Sequence, residues 1–482
     1  MRRSTLVRQA SRQRSQPLRR GAADVLAGLF PEADGPVLPS PLRGQPLLAA
    51  AAGVIAFAVG AVVLLRRVPG PPWRSFYAED LRVFFVDALA HPWHLLAPYN
   101  GYLELLQRLV AQAATYVPLR TASVVFTLAG AAVASGCALF VYCASAGHVR
   151  SAGWRALLAA SILLLPIAPL EIADNTVNAP WYLLLALFWA VLWRPRTRAG
   201  LAVAGLVAFL AAASDPLAVV LVPLLAARVA ALRRFREHAV TAGWAAGMML
   251  QVPVALAAAS AARHSRLARP VPIGQSLAFY GHDVVLPALG WHLAWHLIDL
   301  AGRNVATLIV GCVLAAVFAL IIVTQRGRVR LFVVTALVTG LVFTLVAATF
   351  SEFTPSAPET PLYEPGSRYT TLALFLFVCA VIVAVDAMFQ RAGPVFGDPA
   401  FTGRLRGERL RAVAAGVALV VVLCAGWVPD FRYLSNRTKP GSWAPVAASW
   451  LRACERPGTS SIVVPGWGGA PAVKVPCASL RR

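Results

Sequence analysis

Runs of about 18 or more apolar residues recur along this chain, the first being QPLLAAAAGVIAFAVGAVVLL from Gln45, and each can cross a ~30 Å hydrocarbon layer. In lipid every backbone N–H and C=O must find a partner within the protein, which leaves a helical bundle or a closed barrel. The runs are continuous and do not alternate, so barrel strands are excluded. Composition agrees: 58% of residues are hydrophobic and 13% charged, against ~25% charged in soluble domains. The chain reads as an all-α polytopic membrane protein.

About eleven transmembrane helices are expected, near 46–66, 119–146, 155–171, 179–194, 199–213, 216–232, 241–262, 304–324, 330–350, 369–389 and 411–428. Residues 1–45 read as an Arg-rich cytoplasmic disordered tail, 46–428 as the transmembrane bundle, and 429–482 as an extracytoplasmic tail. An Arg-rich, acid-poor start is also the composition of an organellar transit peptide. The basic residues behind the net charge of +23 are nearly all Arg and cluster in short loops between apolar runs, those on one side, such as HVRSAGWR, RPRTR, RRFREH and QRGRVR, being dominated by Arg. That is the positive-inside pattern, so a nucleic-acid partner is not implied. It places the N-terminus inside, the C-terminus outside and the protein in the cytoplasmic (plasma) membrane. The weak point is the SDP turn at 214–216, which is either a loop between two spans or a kink within one.

On this topology the outer side carries the long loops, 67–118 above all. The carboxylates Glu79, Asp80, Asp87, Glu104, Glu171, Asp174, Asp215 and Glu352 all fall on that face or at its edge. Carboxylates at span ends are unusual enough to suggest a site. The stretch SFYAEDLRVFF (75–85) sets Glu79 and Asp80 side by side soon after the first span. Within the same loop, 90–112 is expected to lie as a helix in the membrane interface.

An acidic pair in a large first outer loop resembles the GT-C superfamily, multi-span glycosyltransferases that take sugars from polyprenyl-phosphate donors. The strings NGYLELLQRL (100–109), EIADNTVNAPWYL (171–183), GSRYTTLALF (366–375) and VPGWGGAPAVKVPC (464–477) look like those of actinobacterial envelope proteins of this kind. The resemblance covers most of residues 46–480, through short, degenerate motifs. It implies Asp80 as the base that takes a proton from the acceptor hydroxyl. Glu79 would share that role, or bind sugar hydroxyls or a divalent cation (Mg or Mn); no cofactor is certain. Asp80→Asn is then expected to abolish activity without affecting insertion.

A departing phosphate calls for Arg, whose planar fork matches its oxygens. The outer-side candidates are Arg82, Arg108, Arg263, Arg266 and Arg368, the last beside Tyr369. Glu171, Asp174, Asn175 and Asn178 precede Trp181 and Tyr182 and suit a carbohydrate surface, or equally a satisfied turn beside an interfacial aromatic belt. Asp215 before Pro216 reads first as a turn or cap. His292 and His296 are four apart, yet no HExxH motif accompanies them, so an interfacial helix is favoured and no metal site is assigned. Cys454 and Cys477 both fall in the outer tail and form the natural disulfide pair, whereas Cys137, Cys143, Cys312, Cys379 and Cys424 lie within spans.

No P-loop, dinucleotide fingerprint, nucleophile elbow or CxxC is present. The leading reading is a membrane glycosyltransferase on the outer face, with a lipid-linked sugar donor and an envelope glycan or lipid acceptor as partners. The alternatives are a transporter or flippase of a lipid-linked precursor, and a noncatalytic relative of such an enzyme. Internal repeats and midplane charges would favour the transporter, and neither is seen.

Overall fold

A computed structural model describes residues 26–32, 44–166, 171–262, 272–350, 367–391, 403–432, 441–465 and 472–481. From the amino end come α1 (Pro46–Arg67), a π-helical turn (Asp80–Phe85) running into α2 (Val86–Ala90), a hairpin of β1 (Pro98–Tyr99) and β2 (Tyr102–Leu103), α3 (Leu105–Ala114) and α4 (Ala122–Ala144). Next are α5 (Ala152–Leu164), α6 (Ala179–Leu192), α7 (Arg198–Ser214), α8 (Val222–Ala231) and α9 (Ala239–Ala262). Helices α10 (Ile273–Phe279) and α11 (Trp291–Ala301) flank a sharp bend. They are followed by α12 (Arg303–Thr324), α13 (Arg328–Phe350), α14 (Thr371–Arg391) and α15 (Gly403–Trp427). Last come α16 (Trp443–Glu455), an antiparallel pair β3 (Ser461–Val464) and β4 (Val473–Pro476), and α17 (Cys477–Leu480).

Among the described residues, seven helices are long and apolar enough to cross a bilayer: α1, α4, α9, α12, α13, α14 and α15. On α1, Leu47, Val54, Ile55 and Val59 are exposed, and α12 exposes Val305, Leu308, Leu320 and Val323 in the same way. Continuous apolar faces of that size are stable against lipid and not against water. Four other expected spans form shorter helices, of which α5 has 13 residues, α6 has 14 and α7 has 17. At 1.5 Å per residue, about 13 to 17 residues reach only ~20–26 Å. The stretch that bends by 114° at Gly290 adds an eighth span if it counts as one.

The short helices end inside the protein, and buried arginines finish them. Arg67 donates to the Leu163 and Leu165 carbonyls at the end of α5 (2.5 and 2.7 Å) and to Phe431 O (3.3 Å). Arg228 donates to the Val191 and Trp193 carbonyls at the end of α6, and to Glu237 O. The last carbonyls of a helix lack partners within it, and a cation there also suits the helix dipole. Helix α6 is buried on every side, as an all-round apolar helix should be.

Two sets of contacts mark the two ends of the bundle. At one end Arg194 bonds Glu237 and Glu32, Arg391 bonds Gln325, and Asp386 accepts from the Arg150 and Ser151 N–H groups. At the other, Ser214 meets Leu106, Gln251 meets Leu103, and Arg368 meets Glu171. Helix α7 leaves the first end at Arg198 and reaches the second at Ser214; Arg228 is back at the first. The chain therefore reverses at Asp215. Helices α7 and α9 touch through small residues: a Cβ on Gly243 would sit 2.1 Å from the Gly205 carbonyl oxygen. With Gly247 this forms a GxxxG contact, which lets two backbones meet.

Two expectations need correction. Residues 90–112 are not one interfacial helix. Pro92 interrupts the helix, and Asn100–Gly101, both at positive φ (51° and 85°), turn the chain into the β1–β2 hairpin. Residues 26–32 are not a free tail: Leu29 and Phe30 are buried, and Leu29 O bonds the His148 ring (3.1 Å). The C-terminal segment packs on the first loop. Trp443 packs on Phe76 and Phe85 and donates to Leu119 O (2.6 Å), so α16, β3 and β4 share one core with the first loop. Within that core Cys454 and Cys477 are disulfide-bonded.

Candidate active-site cavity

At the second end of the bundle several separate segments line a cavity of about 210 Å³. Glu79 comes from the FYAED turn, Tyr99, Asn100 and Tyr102 from the hairpin, and Glu104 and Gln107 from the start of α3. Asn178 and Trp181 come from the start of α6, Ser214 and Asp215 from the reversal after α7, and Arg368 and Tyr369 from the start of α14. A separate hollow of about 520 Å³ is lined by Pro98 and Gly101 of the same hairpin with Pro253, Val254 and Ala257. The hairpin thus contributes residues to a polar cavity and to an apolar groove.

The acidic pair divides. Glu79 is partly exposed and faces the cavity, whereas Asp80 is 0% exposed. The Val177 and Thr176 N–H groups donate to the two Asp80 carboxylate oxygens (2.9 and 3.2 Å), so Asp80 holds the 171–178 loop against the first loop. Its placement gives no support to the expectation that it meets the substrate. Ala78, just before the pair, has φ 35°, and Asp174 has φ 55°. Such non-glycine strain persists only where the surroundings impose it, and it clusters at functional sites.

The 171–178 loop is built from its own amides. The Asn175 side chain donates to Glu171 O and accepts from the Asn178 N–H, and the Asn178 side chain donates to Glu171 O. Glu171 in turn accepts from the Arg368 N–H (3.1 Å), which ties this loop to α14. Asn175 and Asp174 are buried behind the cavity, and only Asn178 of the four reaches its wall. A Cβ on Gly130 of α4 would strike the Asn175 backbone at 2.6 Å, so the loop rests on bare backbone.

Of the expected arginines, Arg368 lines the cavity with its guanidinium over the Tyr369 ring at 5.1 Å. Arg82 is not part of the lining, and Arg108 points the other way, onto Asp87 (2.6 Å). Arg263, Arg266 and Glu352 lie outside the described residues. His292 is bonded to Asp430, whose carboxylate also accepts from the Trp291 N–H at the start of α11.

Sequence reading passed over Tyr99 and Tyr102, counted Glu104 among the outer carboxylates without giving it a role, and took Asp215 first for a cap. Asp215 is a cap, accepting from the Leu217 N–H at 2.8 Å, and it lines the cavity as well. Burial raises its carboxyl from 3.8 to about 7, against the Leu217 hydrogen bond and the Arg368 charge. Burial pushes Glu104 well above the usual carboxylate range; the neighbouring Tyr102 hydroxyl opposes this, and the charges of Asp215 and Glu79 add to it. Glu104 Oε2 has no hydrogen-bond partner among the described residues. Burial, then the charges of Glu79 and Glu104, raise the Tyr99 phenol to about 12.

The cavity thus offers one carboxyl that burial pushes well above its usual range, one raised to about 7, and an arginine beside hydroxyls and amides. That combination can take a proton from a hydroxyl while holding an anion. Comparison of the chain with protein-family profiles, curated proteins and solved structures gives no match.

Proposed function

We propose that the chain is an integral membrane glycosyltransferase, moving a sugar from a polyprenyl-phosphate donor to an envelope glycan or lipid acceptor on the outer face of the cytoplasmic membrane. One observation carries the reading: Arg368, Glu79, Glu104 and Asp215 converge on one cavity at the mouth of an apolar bundle. Ala347, near the end of α13, and Arg368, at the start of α14, both line it. A headgroup can therefore enter while its chain stays in lipid, and the apolar groove at the hairpin offers that chain a surface.

In this reading Asp215 accepts the proton of the acceptor hydroxyl as its oxygen attacks the sugar's anomeric carbon. The bond from that carbon to the phosphate oxygen breaks, its electron pair leaves with the polyprenyl phosphate, and Arg368 holds the departing anion. Glu104 and Glu79, with Asn178, bind sugar hydroxyls. The Arg-rich end of the bundle is assigned to the cytoplasm. Eleven crossings follow if α5, α6, α7 and the 216–231 segment each complete a passage that the protein interior shields from lipid.

The experiment is a deletion strain complemented with wild type, Asp215→Asn or Glu104→Gln. A shortened envelope glycan, with accumulation of a polyprenyl-phosphate-linked sugar, that wild type reverses and Asp215→Asn does not, is the expected result. Full complementation by both variants contradicts the reading.

A further inference from the structure

Away from the cavity, the segment after α2 brings together Asp87, His91 and His94, whose ligand atoms all lie within 4.8 Å of one another. His91 Nδ1 is 2.9 Å from Asp87 Oδ1, and His94 Nδ1 is 3.6 Å from Asp87 Oδ2. We propose that these three side chains bind a first-row divalent cation of the zinc type. Two imidazoles and one carboxylate are a donor set that such ions favour, with remaining positions open to water.

The surroundings fix all three. Arg108 donates to Asp87 Oδ2 at 2.6 Å and to the His94 carbonyl at 3.4 Å, so one side chain of α3 orients both ends of the segment. Gln112, one turn on, accepts from the Trp93 N–H at 2.7 Å, and Trp93 itself sits at φ 66°. Partners of this sort hold ligands in place before the ion arrives. Arg108 occupies Asp87 Oδ2 and leaves Oδ1 facing His91; its charge beside the site argues for moderate affinity. Both rings face solvent (59% and 56% exposed), so ions have access.

The segment runs directly into the β1–β2 hairpin, the wall that carries Tyr99 and Tyr102. A bound cation would pin the hairpin to α2 and α3. The inference stands apart from the glycosyltransferase reading, because it needs only that the hairpin is held.

The test is cobalt titration of the full-length protein in nanodiscs, purified without a histidine tag and followed by visible absorption. One cobalt per chain, displaced by zinc, is expected for wild type and for the control His292→Ala/His296→Ala. Loss of the signal is expected in His91→Ala/His94→Ala, whose exposed rings can be removed without opening the core. Protease cleavage within 91–97 should slow at least threefold with zinc in wild type and in the His292/His296 control, and not in the His91/His94 variant. Equal cobalt binding by the His91/His94 variant, or no saturable binding by wild type up to millimolar cobalt, overturns the proposal.

Discussion

Asp80 and Val177 are joined by a 2.9 Å hydrogen bond from the Val177 N–H to the Asp80 carboxylate, although 97 residues separate them in sequence. With the parallel bond from Thr176, this locks the first loop to the loop ahead of α6. Hydrogen bonds to a charged acceptor contribute about 1.5–3 kcal/mol, and an orphaned buried N–H costs a similar amount. Asp80→Asn keeps one acceptor and loses the other, so it should lower thermal stability in detergent by about 2 kcal/mol. Glu79→Gln should leave the melting temperature unchanged and reduce transfer. Equal melting of the two variants would show that Asp80 is not a structural tie.

The pH dependence follows from Asp215. Its carboxyl titrates at about 7 in the fold, so a base at this position works only above that pH. Transfer should rise through an apparent pKa of about 7, and Asp215→Asn should lack this limb. For stability the sign is opposite. A carboxyl with a raised folded pKa stabilises the fold fully below its unfolded value near 3.8, and this is lost as pH rises through about 7. Thermal melts of wild type and Asp215→Asn from pH 4 to 8 measure that difference.

Much of this fold was legible in sequence and part was not, for definable reasons. Length and hydropathy identify α1, α12 and α13 because lipid-facing helices are apolar over their full length. Helices α5 and α6 carry the same apolar signal but stop early, because Arg67 and Arg228, distant in sequence, supply the capping donors. Asn100–Gly101 was the missed signal: that dipeptide between Tyr99 and Tyr102 marks a tight hairpin, and the hairpin brings both tyrosines to the cavity. The adjacency of Glu79 and Asp80 marked the turn from which Glu79 lines the cavity. It could not say which carboxylate faces inward, since the tie to Thr176 and Val177 is set by tertiary packing. Asp215 concealed its second role because a cap and a cavity wall have the same sequence signature.

Close packing of α7 on α9 depends on Gly243. Any side chain there meets the Gly205 backbone, which cannot yield as a flexible side chain would. Overpacking of this kind costs about 1–3 kcal/mol or more. Gly243→Leu should reduce the yield of monodisperse protein severely, while Gly274→Leu, where a Cβ meets nothing, should not. Size-exclusion profiles of the two variants make the comparison.

The Cys454–Cys477 bond closes a 23-residue separation in the segment packed on the first loop. Loops of this length gain about 3 kcal/mol from such a link in the chain-entropy account. Neither thiol should label in unreduced membranes, and both should label after reduction and unfolding. Cys454→Ser/Cys477→Ser should lower the melting temperature and loosen contact with Trp443, read as a shift in its fluorescence. Free labelling of Cys454 in unreduced membranes contradicts the bond.

The most direct measurement takes a lipid extract from the deletion strain, incubates it with purified wild type or Arg368→Gln in nanodiscs, and follows polyprenyl-phosphate-linked sugars by mass spectrometry. The account predicts that wild type consumes one such species and releases the polyprenyl phosphate, with Arg368→Gln at least tenfold slower. If wild type consumes none, or if Arg368→Gln matches it, the cavity at Arg368 is not a site of glycosyl transfer.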